Sequence, residues 1–175
     1  ELPGIAYEEV TYEAYGPGGA ALFIECVTDN KTRTVSELRH ILDRYHGKLA
    51  STGAVAYQFH KKGAIAVPKS TAPEEDLMSA ALEAGADDIR SDDKFFTVLT
   101  PPDQFVEIRK TIETKGFKIE HAELHMMADN TIRVEGKEAE QLLKLMGFLE
   151  DQEDVQQVHS NFEIDDKLIA AFEGG

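Results

Sequence analysis

Cysteine is almost absent. Cys26 stands alone among 175 residues, so no internal disulfide can close and no thiolate zinc cluster can form. A reducing, cytoplasmic setting suits such a chain. Positive charge is scarce as well: 18 Lys plus Arg face 33 Asp plus Glu, a net charge of −15. A body this anionic repels phosphate and acidic lipid except where cations gather locally. Long apolar runs are missing too. The run Ala20-Ala21-Leu22-Phe23-Ile24 is far too short for a membrane span and lacks the flanks of a signal peptide, so no membrane partner is expected. The sequence opens on Glu1 rather than Met, and we expect it to be part of a longer protein.

Signatures of catalysis are also lacking. No Gly-x-Ser-x-Gly elbow surrounds Ser36, Ser51 or Ser160, and nothing near Cys26 marks a nucleophile. His121, Glu123 and His125 alternate on a predicted strand and share one of its faces, but the zincin order fails and no fourth ligand is marked. A solvated or interdomain sheet face is the better reading. The pairs Asp87-Asp88 and Asp92-Asp93 are turn and solubility chemistry in so acidic a chain. No enzyme, metal site or cofactor is expected.

What the chain does contain is a regular alternation of strands and helices. Thr11 to Tyr15 and Ala20 to Thr28 flank a Gly-Pro-Gly-Gly turn and read as a hairpin. Thr34 and Glu37 form a predicted capping box ahead of a helix that carries Val35, Leu38, Ile41, Leu42 and Tyr45, with Gly47 as its stop. Val55, Tyr57 and Phe59 alternate with polar or small residues and predict a strand closing a β-α-β unit. From Ala64 to Met127 the order is β-α-β-β-α-β, with Ser70 or Thr71 capping the first helix and Thr100-Pro101-Pro102-Asp103 opening the second.

That order is the ferredoxin-like one. A further strand (131–134), helix (137–150) and strand (155–164) supply a second β-α-β. The fold class expected is therefore α+β: two ferredoxin-like sandwiches, the second inserted into the first. Residues 1–61 plus 128–175 would form the discontinuous domain and 62–127 the inserted one. A single continuous sheet is the alternative.

Two groups of residues invite an anionic partner. Lys31, Arg33, Arg39, Arg44 and Lys48 lie on and around the first helix, whose N-terminal amides also favour anions; Lys61 and Lys62 add a smaller patch at the domain boundary. Pairing of the helical cations with Glu37 and Asp43 is the competing reading. Gly16, Gly18 and Gly19 are candidates for an anion-binding loop, although the Walker and dinucleotide spacings fail and a hairpin turn is the better reading.

Several longer stretches carry a resemblance: residues 12–19 (Tyr-Glu-Ala-Tyr-Gly-Pro-Gly-Gly), 25–34 (Glu-Cys-Val-Thr-Asp-Asn-Lys-Thr-Arg-Thr), Gly53 to Phe59, Lys61-Lys62-Gly63, Glu83 to Asp88, and Asp154 to Phe162. In these the sequence resembles the YebC/PmpR family over nearly its whole length. What it lacks is the family's helical N-terminal domain with a basic opening segment. The resemblance implies a cytoplasmic protein of gene expression, usually described as a DNA-binding transcriptional regulator. Mitochondrial relatives activate translation of cytochrome c oxidase subunit I, and bacterial ones are linked to ribosome stalling at proline runs. The implied partners are DNA, or ribosomal RNA and the ribosome, together with the absent N-terminal domain. A small-molecule-sensing role, common among ferredoxin-like domains, is a further alternative.

Overall fold

The structure, a computed structural model, describes residues 5–174. In chain order the elements are β1 (Glu8–Tyr15), β2 (Ala21–Thr28), α1 (Lys31–Arg44), β3 (Lys48–Ala50), β4 (Phe59–Pro68), α2 (Glu74–Ala84) and β5 (Asp88–Ser91). They continue through β6 (Phe95–Thr100), α3 (Phe105–Thr114), β7 (His121–Ala128), β8 (Ile132–Arg133), α4 (Gly136–Asp151), β9 (Val155–Ser160), β10 (Phe162–Glu163) and α5 (Asp166–Glu173). Two compact units emerge: His60–Met127 is one, and the segments that end at Phe59 and resume at Ala128 make the other. Among the described residues no helix is long and apolar enough to cross a membrane.

In the discontinuous unit the hairpin is paired along its whole length, from Glu8 opposite Thr28 to Tyr15 opposite Ala21. The sheet order is β3-β1-β2-β9. Ala14, Leu22, Ile24 and Cys26 line its inner face and pack against Leu38 and Leu42 of α1 and Leu142, Leu145 and Leu149 of α4. Each of those leucines is fully buried, and each burial stabilises by roughly 2 kcal/mol relative to exposure.

This sheet has the ferredoxin-like order with its strands supplied differently from expectation. The strand closing the first β-α-β is the short β3, and residues 55–59 form a turn, Ala56–Gln58, that runs into β4. The reason is a carboxylate. Glu13 on β1 accepts hydrogen bonds from the amides of Gly53 (2.6 Å), Val55 (2.8 Å) and Ala56 (2.6 Å), gathering groups that a strand would have used in its ladder. The strand expected at 131–134 pairs in parallel with β10 in a separate two-stranded sheet. Its place in the main sheet is taken by β1.

The helix α1 also begins earlier than its apparent capping box. Asn30 is the cap, accepting from the Arg33 amide at 3.1 Å. Thr34 is buried inside the first turns instead of standing at the end.

The unit His60–Met127 has sheet order β5-β6-β4-β7, with β4 and β6 in register from Gly63 opposite Thr100 to Pro68 opposite Phe95. This is the ferredoxin-like arrangement. Leu77 and Ala81 of α2 and Phe105, Ile108 and Ile112 of α3 bury against Ile65, Val67, Phe96 and Val98. Neither Ser70 nor Thr71 caps α2: Pro73 is the N-cap, and the Thr71 hydroxyl donates to the Pro68 carbonyl at 2.8 Å. Gly85, at φ 100°, ends that helix in the left-handed conformation that glycine adopts without strain.

Candidate nucleic-acid interface

The cations expected to form one surface on α1 have different fates. Arg33 turns toward the start of β9, where its Nη2 lies 2.9 Å from Asp154 Oδ1 and 3.2 Å from Asp29 Oδ1, with Glu153 at 3.8 Å. The Asp154 carboxylate beside it raises the guanidinium above its ordinary value. Lys31 is held 2.7 Å from Glu8 Oε2 and is raised by that hydrogen bond. Both side chains are thus paired with carboxylates of the protein itself, Arg33 with a buried one and Lys31 with an exposed one, which lowers the charge they offer to an outside anion.

Arg39, Arg44 and Lys48 make no ion pair among the described residues, and all three are exposed. Arg44 lies over the Tyr45 ring at 5.6 Å. The two arginines are five positions apart, which sets them about 140° apart around the helix. They occupy opposite flanks of α1 rather than one stripe. Lys48 is on β3 directly opposite Tyr15 of β1. In the inserted unit, Lys62 Nζ pairs with Asp87 Oδ2 at 2.9 Å, while exposed Lys61 makes no ion pair among the described residues.

The glycine turn is built as a turn. The Gly16 amide donates to Ala20 O at 2.8 Å and the Gly19 amide to Gly16 O at 3.1 Å, so two of the three amides proposed for an anion are already used. Gly16 packs under Leu142 and Gly18 under Val134. The anion-loop reading of Gly16, Gly18 and Gly19 gives way to the hairpin one. On β7, His125 Nδ1 lies 3.6 Å from Glu123 Oε1 and His121 is exposed.

A family model described as the TACO1/YebC second and third domain matches residues 7–162. The chain belongs to this family. A relative from Dictyoglomus turgidum, named a probable transcriptional regulatory protein, is 48% identical over 170 residues, which are 97% of this chain and 68% of the relative. One of the same name from Pseudothermotoga lettingae is 48% identical over 172 residues, covering 98% of this chain and 68% of its own. The crystal structure of a conserved hypothetical protein from Aquifex aeolicus superposes with a TM-score of 0.77 at 38% identity, covering 95% of this chain and 69% of that one.

Within this TACO1/YebC chain, two features escaped the residue-by-residue reading. Burial alone would raise the Glu13 carboxyl, but the amides of Gly53, Val55 and Ala56 together hold it below the usual range. They pin the segment that presents Tyr57, whose side chain stands 73% exposed. The second is charge segregation. From Arg44 to Pro73 there is no Asp or Glu at all, yet Arg44, Lys48, Lys61, Lys62 and Lys69 all fall there. With 33 acids in the chain, that gap is the sequence signal that could have directed attention to this segment.

Proposed function

We propose that the chain is part of a non-enzymatic regulator of transcription that meets nucleic acid through Arg39, Arg44 and Lys48, with Lys61 as a further contact. The observation carrying this reading is family membership, with relatives named probable transcriptional regulatory proteins at 48% identity. The charge pattern supports it: Arg39, Arg44, Lys48 and Lys61 are exposed without an ion pair among the described residues, and the last three fall in a stretch of sequence without acids, so an otherwise anionic chain keeps cations for phosphate. Arg33 and Lys31 serve the fold in this reading.

The test is occupancy of cross-linked DNA together with transcript abundance in cells, for the full-length protein and for a variant carrying Arg39→Glu, Arg44→Glu and Lys48→Glu. Lost occupancy, with transcripts changed as in a deletion, is the expected result. Unchanged occupancy and transcripts in a folded variant would overturn the proposal.

A further inference from the structure

Tyr57 combines three properties that are seldom found together. It is an aromatic ring 73% exposed to solvent. Its backbone is held still, because the residue before it, Ala56, donates its amide to Glu13 Oε1 at 2.6 Å while Val55 and Gly53 bind the same carboxylate. It also lies in the segment from Arg44 to Pro73 that contains no acid.

The same carboxylate ties Tyr57 to a second aromatic and a cation. Glu13 and Tyr15 are two apart on β1 and so share a sheet face. Tyr15, 38% exposed, stands directly opposite Lys48 on β3. One face at this edge of the sheet therefore carries a ring, a lysine and a clamped loop bearing another ring. Ser51, Thr52 and Gly53, which precede it in the same segment as Tyr57, are exposed and small.

We infer that Tyr57 is a stacking platform for an unpaired base of a single-stranded polynucleotide, with Lys48 on a neighbouring phosphate. The inference rests on the nucleic-acid reading above and narrows it. A duplex hides its base faces, whereas a single strand offers them to any protruding aromatic. Prior ordering of the loop by Glu13 removes part of the entropic cost of capture.

The experiment is fluorescence anisotropy of short labelled oligouridine, oligothymidine and a mixed-sequence DNA duplex, titrated with the chain across several salt concentrations. We expect single strands to bind more tightly than duplex. Tyr57→Ala should weaken single-strand binding by about tenfold, and Tyr57→Phe should retain it. The slope of log affinity against log salt should be unchanged in Tyr57→Ala but shallower by about 0.7 in Lys48→Glu, one phosphate contact fewer. Equal affinity for the two single strands identifies stacking alone, and a preference for RNA adds a ribose contact; both support the inference. Duplex binding that Tyr57→Ala leaves intact overturns it while the proposed function stands. Failure of the wild-type chain to bind any of the three overturns both.

Discussion

The Thr34 hydroxyl donates to Asp154 Oδ2 at 2.7 Å, across 120 residues of sequence. Asp154 also receives Arg33 Nη2, and the Thr34 oxygen lies 2.8 Å from the Thr28 hydroxyl. The two chain segments of the discontinuous unit are thus joined by a buried carboxylate as well as by the leucine core. Replacing Asp154 by Ala should cost about 2–3 kcal/mol, because it leaves Thr34 without its charged acceptor and Arg33 without its closest partner. Arg33 remains 35% exposed, and solvent screening keeps the loss toward the lower end. Glu153→Ala, which removes a carboxylate 77% exposed and 3.8 Å from Arg33, should change stability by less than about 0.5 kcal/mol. Urea denaturation of the two variants side by side checks the contrast.

Acid should act on the same group. Burial would raise Asp154, but the Thr34 hydroxyl, Arg33 and Gln152 hold its carboxyl below the usual range, and Glu13 is lowered by its three amides. A carboxylate with a depressed folded value stabilises fully above the ordinary unfolded value, and the contribution is lost as pH falls through the folded one. Wild type should therefore lose stability below about pH 4.5. The gap between wild type and a Glu13→Gln, Asp154→Asn variant should shrink over that interval. Parallel stability curves for the two proteins from neutral pH down to pH 3 would contradict this account.

Neither carboxylate was legible beforehand, and the reason is distance along the chain. Glu13 sits in a strand where a charged residue reads as surface, and its partners begin 40 residues later. Asp154 follows Glu150, Asp151 and Glu153 in a run where no single acid stands out. What could be read was local: the turn between β1 and β2, the apolar spacing of Leu38 and Leu42, and the order of elements from β4 to β7. The surroundings of Arg33 turn on one such local detail. Taking Thr34 as the cap placed it at the helix end, whereas Asn30 caps the helix and the turn containing Arg33 and Thr34 faces Asp154. The place of β1 within the sheet depends on pairing, which periodicity does not encode.

Gly63 should be intolerant of any side chain. A Cβ there would run into Thr100 Oγ1 and the ring of Phe105, and Thr100 is fully buried on the facing strand. Gly63→Ala should destabilise the chain by about 2–3 kcal/mol through overpacking. Adding Phe105→Leu should recover part of that loss, since the two changes share one contact and will not be additive. Thermal melts of the single and double variants test both statements; an additive double variant would place the strain elsewhere.

Cys26 should be chemically silent in the folded protein. Burial, reinforced by the Asp154 carboxylate, pushes its thiol up to about 11. At pH 8 the thiolate is then about one part in a thousand, and the thiolate is the reacting species. Iodoacetamide should label the native chain negligibly and the urea-unfolded chain completely. Rapid labelling under native conditions would mean that the core between the sheet and α1 opens more readily than its packing implies.

The turn between β1 and β2 offers a comparison between neighbouring glycines. Gly18 and Gly19 both have positive φ, 77° and 80°. A Cβ on Gly18 would meet Val134 Cγ1 at 3.0 Å, whereas one on Gly19 meets nothing within 4 Å. Gly19→Ala should therefore cost only the left-handed backbone penalty, about 1 kcal/mol, and Gly18→Ala about 1 kcal/mol more. Because the Gly16 and Gly19 amides already serve the turn, phosphate should raise the melting temperature no more than chloride does at matched ionic strength. A saturable phosphate effect abolished by either substitution would restore the loop as an anion site. Equal costs for the two alanines would show that Val134 yields to the added methyl group.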